Sequence, residues 1–492
     1  MFKFLKNNYL IILILIFGFI LRIYKAEELF MYSHDQDLAG WFVRDVIENK
    51  HLRLIGQETS TQGIFIGPFY YYLLTFFYAL ARMDPIGGIY LVTLLGLLTI
   101  FSIYWVFTKV FSKTVGYIGS FLYSASYFSV FNDREVVPTM PVFLWTVWFL
   151  YSLHLILKGK QKTGLLLAGL LIGLIWHLNF ALVLISWLVV VALVISRKKA
   201  ELKSIIIGVL TFFGTSIPLI FFELRHNFIQ SKSLVTSLTT SQNDVISGFQ
   251  KFERVIEVLN KNFTGFLWGD FFGGDYSLAG LFLLVVFVFL YFKKILKKDW
   301  GIILLLWISS YIAFFSLYSK IISEYYLNGT VVVALLLVSL FLAHIYLKAN
   351  KKLLVLIILV LFSVLHIHKL LTININRSGY VYRRALIREI KSDAISHGYP
   401  CVSVSYITDP GHNFGYRYLF YLENLHVNKP DSGSPPYTIV FPLKDDLFPV
   451  GKTFGALGLI YPDYGKYDEA GVTISCSGSN SNLTDPLWGF TN

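Results

Sequence analysis

Long apolar runs separated by short polar ones make up most of the chain. Runs near 8–24, 86–108, 114–131, 138–157, 163–178, 180–196, 204–221, 278–292, 301–318, 328–347 and 352–371 carry few charges. Each approaches the roughly 20 apolar residues, at about 1.5 Å per residue, that a membrane-spanning helix needs. The pattern predicts about eleven spans. Two short ones abut at Trp176-His177-Leu178-Asn179, which predicts a tight hairpin or a broken helix. A further run, Gly67 to Ala81 (GPFYYYLLTFFYALA), is short and rich in Tyr. Tyr favours the membrane–water boundary, so this run reads as a helix lying in the interface.

Three polar segments are long enough to fold. They are a first loop at 25–85, a second at 222–277 with an amphipathic pattern around 247–260, and a C-terminal region at 373–492. In the last, helical periodicity at 382–396 and 414–422 is mixed with strand-like runs at 402–407, 437–441, 457–461 and 472–475. The expected fold is mainly α: a polytopic membrane helical bundle over 1–372, followed by a small α/β domain over 373–492. The only two cysteines, Cys401 and Cys476, both fall in that domain. The spacing allows a disulfide or two buried thiols on adjacent strands.

Charge fixes the orientation. Only 15% of residues are charged and 55% are hydrophobic, against about 25% charge in a soluble domain. Net charge is +12, but the basic residues sit between apolar runs and form no face for nucleic acid. One set of connections, from Lys3 and Lys6 to Lys351 and Lys352, holds 18 Lys and Arg against Glu201 and Asp299. The opposite loops, up to Lys352, hold 13 basic and 17 acidic residues. The positive-inside rule puts the first set, and the N-terminus, in the cytoplasm. Eleven spans then place 373–492 outside the cell membrane. Arg22-Ile23-Tyr24-Lys25 follows the first span in place of a small-residue cleavage site, so that span reads as an uncleaved anchor.

Candidate chemistry gathers on the outer side. Ser33-His34-Asp35-Gln36-Asp37 places two carboxylates beside a histidine, suited to a general base or a metal; the plainer reading is a solvated turn. Asn132-Asp133-Arg134-Glu135 offers a guanidinium for a phosphate, or an Arg–acid pair closing a hairpin. Arg225 and His226 follow the seventh span, Glu324 and Tyr325 precede the tenth, and His177 with Asn179 interrupts an apolar stretch. Such intramembrane polar groups lean functional, although a lone histidine is more often a satisfied core residue. The cytoplasmic connections carry no phosphate-binding glycine loop and no HExxH or GxSxG motif.

These residues resemble something known. HDQDLAGWFVRDVIENKHLRLIGQETSTQGIFIGPFYYYLL (34–74) is similar to the first outer loop of the GT-C glycosyltransferases of family 39. That family includes the dolichyl-phosphate-mannose protein mannosyltransferases and the lipid A aminoarabinose transferases. FSKTVGYIGSFLYSASYFSVFNDREVVPTMPVFL (111–144), FFELRHN (221–227) and SEYYLNG (323–329) resemble other parts, so that about 1–370 is covered. The resemblance implies an inverting transfer of a sugar from a polyprenyl-phosphate donor to a hydroxyl acceptor. It implies a first-loop Asp as general base, matched by Asp35, and an Arg-Glu motif matched by Arg134 and Glu135. Many members have Asp-Glu where this chain has Asp-Gln-Asp, so either Asp35 or Asp37 can be the base. Arg134, Arg225 and His226 are candidates for the donor phosphate. His34, Glu135, His177, Asn179, Glu324 and Tyr325 are further candidates. No cofactor is required, although His34, Asp35 and Asp37 can hold a divalent metal. The expected partners are the lipid-linked sugar, an unidentified hydroxyl acceptor in the cell envelope (protein, lipid or glycan) and membrane lipid, with no nucleic acid. The alternatives are a flippase of lipid-linked saccharides and a non-catalytic scaffold.

Overall fold

The computed structural model describes residues 2–59, 61–196, 198, 200–239, 248–269, 277–318, 322–348, 351–443, 447–484 and 490. Side chains are described except those of 2–7, 238, 277 and 348. The helices run α1 (Phe2–Ile23), α2 (His34–Glu48), α3 (Phe69–Leu80), α4 (Ile86–Val110), α5 (Lys113–Ala125), α6 (Tyr127–Asn132), α7 (Val142–Leu157), α8 (Gln161–Leu178), α9 (Leu188–Ser196), α10 (Leu202–Arg225), α11 (Ile229–Thr239), α12 (Phe249–Trp268), α13 (Ser277–Phe292), α14 (Lys298–Leu317), α15 (Val331–Lys348), α16 (Lys352–Thr372), α17 (Tyr380–Ser396), α18 (Arg417–Leu422) and α19 (Glu469–Ser475). Strands β1 (Val402–Thr408), β2 (Val427–Asn428), β3 (Pro436–Phe441), β4 (Lys452–Phe454) and β5 (Leu457–Ile460) form one sheet in the order β2-β1-β3-β5-β4. The pairs β1–β2 and β1–β3 are parallel, and β3–β5 and β4–β5 antiparallel.

Each of the eleven predicted runs forms helix. Six helical stretches are long and apolar enough to cross a membrane: Ile86–Val110, Gln161–Leu178, Leu202–Arg225, Lys298–Leu317, Glu324–Leu347 and Lys352–Thr372. Several runs are interrupted. The third breaks at Ser126, between α5 and α6. A break exposes backbone groups that lipid cannot satisfy. Here His366 of α16 accepts the Tyr127 amide through Nδ1 at 2.9 Å, and Ser126 Oγ donates to Phe266 O at 3.3 Å. At the predicted junction, α8 ends and Asn179 turns extended, with a 3₁₀ turn over Phe180–Ile185 before α9.

Helix α8 packs along α10 at backbone contact distance. A Cβ at Gly169 or Gly173 would collide with Gly208 O or Thr215 Oγ1, respectively, which is why small residues recur there. Helix α15 lies at the centre of the bundle; α10 and α16 turn most of their apolar surface outward. Helix α3 is two-faced. Tyr70, Tyr71, Leu74 and Tyr78 point inward, while Phe69, Leu73, Phe76 and Leu80 are exposed. An apolar outer face suits the boundary position expected of this run.

Among the described residues of the second loop there are two helices, α11 and α12, where one was expected. Helix α12 runs on to Trp268, because Phe263, Phe266 and Leu267 continue its buried face. In the C-terminal region, 472–475 is not a strand. Asp468 Oδ1 accepts the Gly471 amide at 2.6 Å and starts α19, in which Val472 alone is buried. Cys401 and Cys476 are joined in a disulfide with Cα atoms 5.6 Å apart, and Cys476 caps α19. The core of the region does not close on itself. Leu386, Ile387, Tyr416, Tyr418 and Leu419 share one apolar cluster with Trp41 and Phe42 of α2 and Leu74 and Tyr78 of α3.

One buried ion pair ties the bundle together. Arg22, at the end of α1, donates from Nη2 and Nε to Asp133 Oδ2 at 2.6 and 2.8 Å. Tyr123 OH donates to Asp133 Oδ1 at 2.8 Å, and Arg22 Nη1 to Gly18 O at 3.1 Å. Gly96 of α4 makes the room: a Cβ there would lie 2.7 Å from Arg22 Nε and 2.8 Å from Asp133 Oδ2. Both partners are inaccessible to solvent, so removing one strands the other charge. Arg22→Ala or Asp133→Ala should each cost about 3–5 kcal/mol. The double variant Arg22→Met/Asp133→Leu should recover most of that loss, as read by thermal unfolding in detergent.

Candidate active site

The segment read as a possible turn is the start of α2. Ser33 precedes the helix in extended backbone, and Gln36 Oε1 accepts from Ser33 N and Oγ at 2.9 and 3.0 Å. Asp35 and Asp37 therefore lie in a first helical turn, where the helix dipole favours negative charge. They face different ways. Asp35 lines a cavity of about 220 Å³ together with Arg134, Glu135, Ser33, Gln36 and Asn374. Asp37 is buried against the C-terminal region, where its Oδ1 accepts the Tyr418 amide at 2.9 Å and Tyr32 OH at 3.4 Å. His34 is exposed and packs on Phe414, with ring centroids 4.6 Å apart. The three side chains that were candidates for a metal thus diverge. Among the described residues no cluster of three or more His, Cys, Asp or Glu side chains is gathered for an ion.

The far wall is the turn after α6. Arg134 does not close a hairpin with its neighbouring acids, as its plainer reading expected. Asp133 is taken by Arg22, and Arg134 Nη2 instead donates to Leu21 O and Tyr24 O at 2.5 and 2.6 Å, capping the end of α1. Gln36 Nε2 donates to Val136 O at 3.3 Å and joins the two walls. Gln57, in the first loop, donates from Nε2 to Asp35 Oδ1 at 3.1 Å.

Burial and like charge set the electrostatics. Burial raises the Asp35 carboxyl above its ordinary range, against the lowering effect of His34 and the Gln57 bond. Burial, with the Asp35 charge, pushes Glu135 up to about 7. Burial lowers Arg134 to about 10, with Arg22 adding to the effect; it remains a cation at neutral pH. The pocket thus holds one carboxylate that ionises first, a second that resists ionisation and a fixed cation.

The other candidates lie elsewhere or serve the frame. His177 accepts the Phe69 amide through Nδ1 at 3.3 Å and bonds Thr215 O through Nε2 at 2.9 Å, pinning the start of α3 between α8 and α10. Asn179 caps the 3₁₀ turn through Ala181 N at 3.0 Å and donates to Tyr325 O at 3.2 Å. Glu324 pairs with Lys261. Tyr325 is partly exposed and within electrostatic reach of Asp35. Arg225 is exposed at the end of α10, and His226 stacks on Phe222 with centroids 4.2 Å apart. Among the described residues no hydrogen bond or ion pair joins either to Asp35, Arg134 or Glu135. Beside them is an apolar cavity of about 340 Å³ lined by Phe65, Trp176, Phe212, Leu219, Ile220 and Leu224, with Glu223 among its few polar groups. Sequence reasoning missed Gln36, Gln57 and Arg22. Gln36 alone carried a signal, being the third residue after a Ser in a capping pattern.

Part of the sequence and the fold as a whole are similar to those of known proteins. A model of the dolichyl-phosphate-mannose-protein mannosyltransferase family matches residues 66–222. No curated protein matches the chain. The fold matches the crystal structure of ArnT from Cupriavidus metallidurans bound to undecaprenyl phosphate, with a TM-score of 0.60 and 13% identity over 92% of this chain and 98% of that one. The apo structure of the same protein gives 0.58 and 12% over 90% and 94%. The fold is therefore similar to that of ArnT, this chain carrying a small sheet in its C-terminal region, and the chain is an integral membrane protein.

Asp37 yields a test of its place in the frame. Burial pushes its carboxyl up to about 6, opposed by the Tyr418 amide bond and by Arg417 and Arg383. The unfolded value is about 3.9, so the folded protein holds this proton more tightly. Stability from this group is present below about pH 4 and is lost as pH rises through 6, by up to about 3 kcal/mol. Asp37→Asn keeps an acceptor for Tyr418 N and removes that dependence. Thermal unfolding between pH 4 and 7 should show a flatter curve and a variant at least as stable as wild type at pH 7.

Proposed function

We propose that the chain is a membrane glycosyltransferase that moves a sugar from a polyprenyl-phosphate donor to a hydroxyl acceptor. The observation that carries this reading is one cavity lined by a carboxylate, a second carboxyl and an arginine, at the bundle end formed by α2 and the turn after α6. The donor class is that of the matched family and of the lipid phosphate bound to ArnT. The lysine and arginine pattern supports a cytoplasmic N-terminus, which puts the cavity and the C-terminal region on the outer face.

The chemistry follows from the charges. A hydroxyl is a weak nucleophile, and a positioned base adds about 10²–10⁴-fold. Asp35 takes the acceptor proton as the acceptor oxygen bonds to the anomeric carbon. The bond from that carbon to the phosphate oxygen breaks on the opposite side, inverting the centre. The electron pair leaves on the polyprenyl phosphate, and Arg134 stabilises the charge that develops there in a site shielded from water. Glu135 is protonated for much of the time near neutral pH, so the negative charge of the pair resides on Asp35. Asp37 serves as a structural anchor. No step needs a metal. A flippase would favour ionisable groups along a path through the bundle; these three share one end.

The test is release of polyprenyl phosphate from a panel of lipid-linked sugars, with membrane extract as the source of acceptor. Asp35→Asn should lower turnover at least 10²-fold with the donor still bound. Asp37→Asn should stay within a few-fold of wild type. Full turnover by Asp35→Asn sinks the assignment of the base. Donor binding without turnover in any sample favours the flippase.

A further inference from the structure

Gln57 was not among the candidate residues of the sequence, yet it makes the one hydrogen bond to the Asp35 carboxylate among the described residues. Its backbone is held in a narrow hairpin. Gly56 N donates to Ile66 O at 2.6 Å, Ile66 N to Gln57 O at 2.9 Å, and Thr59 N to Ile64 O at 2.8 Å. The hairpin lies against α3, because a Cβ at Gly56 would enter the Tyr71 ring. Its end is tied to α8 by Gly67 N donating to Trp176 O at 2.8 Å. The bundle thus fixes where the Gln57 side chain starts, and α2 fixes where Asp35 starts.

We propose that Gln57 is a positioning residue for Asp35, fixing the rotation of the carboxylate so that Oδ2 meets the acceptor hydroxyl in the cavity. The inference rests on the reading of Asp35 as the base. A carboxylate offers only acceptors, so the amide NH₂ of Gln57 must face it. That choice turns Gln57 Oε1 into the protein, where it is buried and has no hydrogen-bond partner among the described residues. An unsatisfied buried carbonyl destabilises a fold. A side chain there for packing alone would do better as Leu or Met, so its use lies in the bond to Asp35. The donor is also neutral. A lysine or arginine at this position would form an ion pair and blunt the base, whereas an amide orients it and leaves it basic.

The groups that face Asp35 define the background of the test. They are His34 on its own helix, Arg134 and Glu135 on the turn after α6, Tyr71 on α3, and Tyr325 before α15. None of them changes in Gln57→Leu. The bond from Gln57 favours the ionised form of Asp35. Its loss should move the acid limb of the kcat/KM–pH profile to higher pH.

The experiment compares wild type, Gln57→Leu, Gln57→Met and Asp35→Asn by polyprenyl phosphate release across pH and by thermal unfolding. The expected result for Gln57→Leu is a melting temperature at or above wild type. Its kcat should fall roughly 10–100-fold, with an unchanged donor KM and an acid limb at higher pH. Gln57→Met should behave alike and stands in if the Leu variant fails to fold. An acid limb that stays in place, or a loss of rate that only tracks a loss of folded protein, overturns the inference. These outcomes leave the base intact if Asp35→Asn is inactive. Full activity in Asp35→Asn fails the base assignment itself and this inference with it.

Discussion

The buried pair of Arg22 and Asp133 is the constraint on which the candidate site depends. Two charges without water are tolerable only where every lone pair and proton finds a partner. Tyr123, Gly18 and the gap left by Gly96 supply those conditions. The pair draws the end of α1 to the turn after α6, and the next two residues of that turn are Arg134 and Glu135. Arg134 then bonds the last carbonyls of the same helix. A guanidinium and a carboxyl reach the cavity because their neighbour is locked beneath them. A hydrophobic pair in place of Arg22 and Asp133 would keep the helices together but would not set this turn by directed bonds.

The opposite wall depends on a second set of ties. Gln36 holds both the start of α2 and the turn across the cavity. Asp37 holds the start of α2 to α18, and Gly40 and Gly415 allow the approach. A Cβ at Gly40 would strike the Tyr418 ring, and one at Gly415 would lie 2.8 Å from Ser33 C. Arg383 bonds Phe414 O and Gly415 O at 2.6 and 3.1 Å, shaping the loop that meets Ser33. The C-terminal region, with its sheet and disulfide, is thus part of the scaffold of the first turn of α2. Neighbouring acids in one motif end up in different surroundings, Asp35 at the cavity and Asp37 against α18, because successive positions on a helix point in different directions.

The bundle was legible because lipid imposes a strong rule on sequence. All eleven apolar runs are helical, some of them broken into two pieces and six helical stretches long enough to cross a membrane, and the helix at 380–396 and the strands at 402–408 and 436–441 followed from ordinary periodicity. Helix α19 was hidden, since Val472 to Ser475 alternates like a strand and only the Asp468 cap betrays it. Asp35, Arg134 and Glu135 could be marked as polar groups at a boundary, and the structure brings these three together. The split between Asp35 and Asp37 could not be read, because it depends on Tyr418, far along the chain. Gln57 and Arg22 were invisible for a related reason. A neutral amide in a polar loop and an arginine after a membrane anchor look like surface chemistry until their partners are known.

The bond between Asp37 and Tyr418 joins residues separated by 381 positions. Ribosomes add about 5–20 residues per second, so the carboxylate waits about 20–80 s for its partner to be made. Through that interval the bundle can assemble while the first turn of α2 lacks its anchor. The site is completed only after nearly the whole chain has been translated and its last region has joined the first. A prematurely terminated chain would therefore keep the frame of Arg134 and Glu135 but carry Asp35 on a helix start without its anchor at Tyr418. The topology makes full-length synthesis a condition of a finished site.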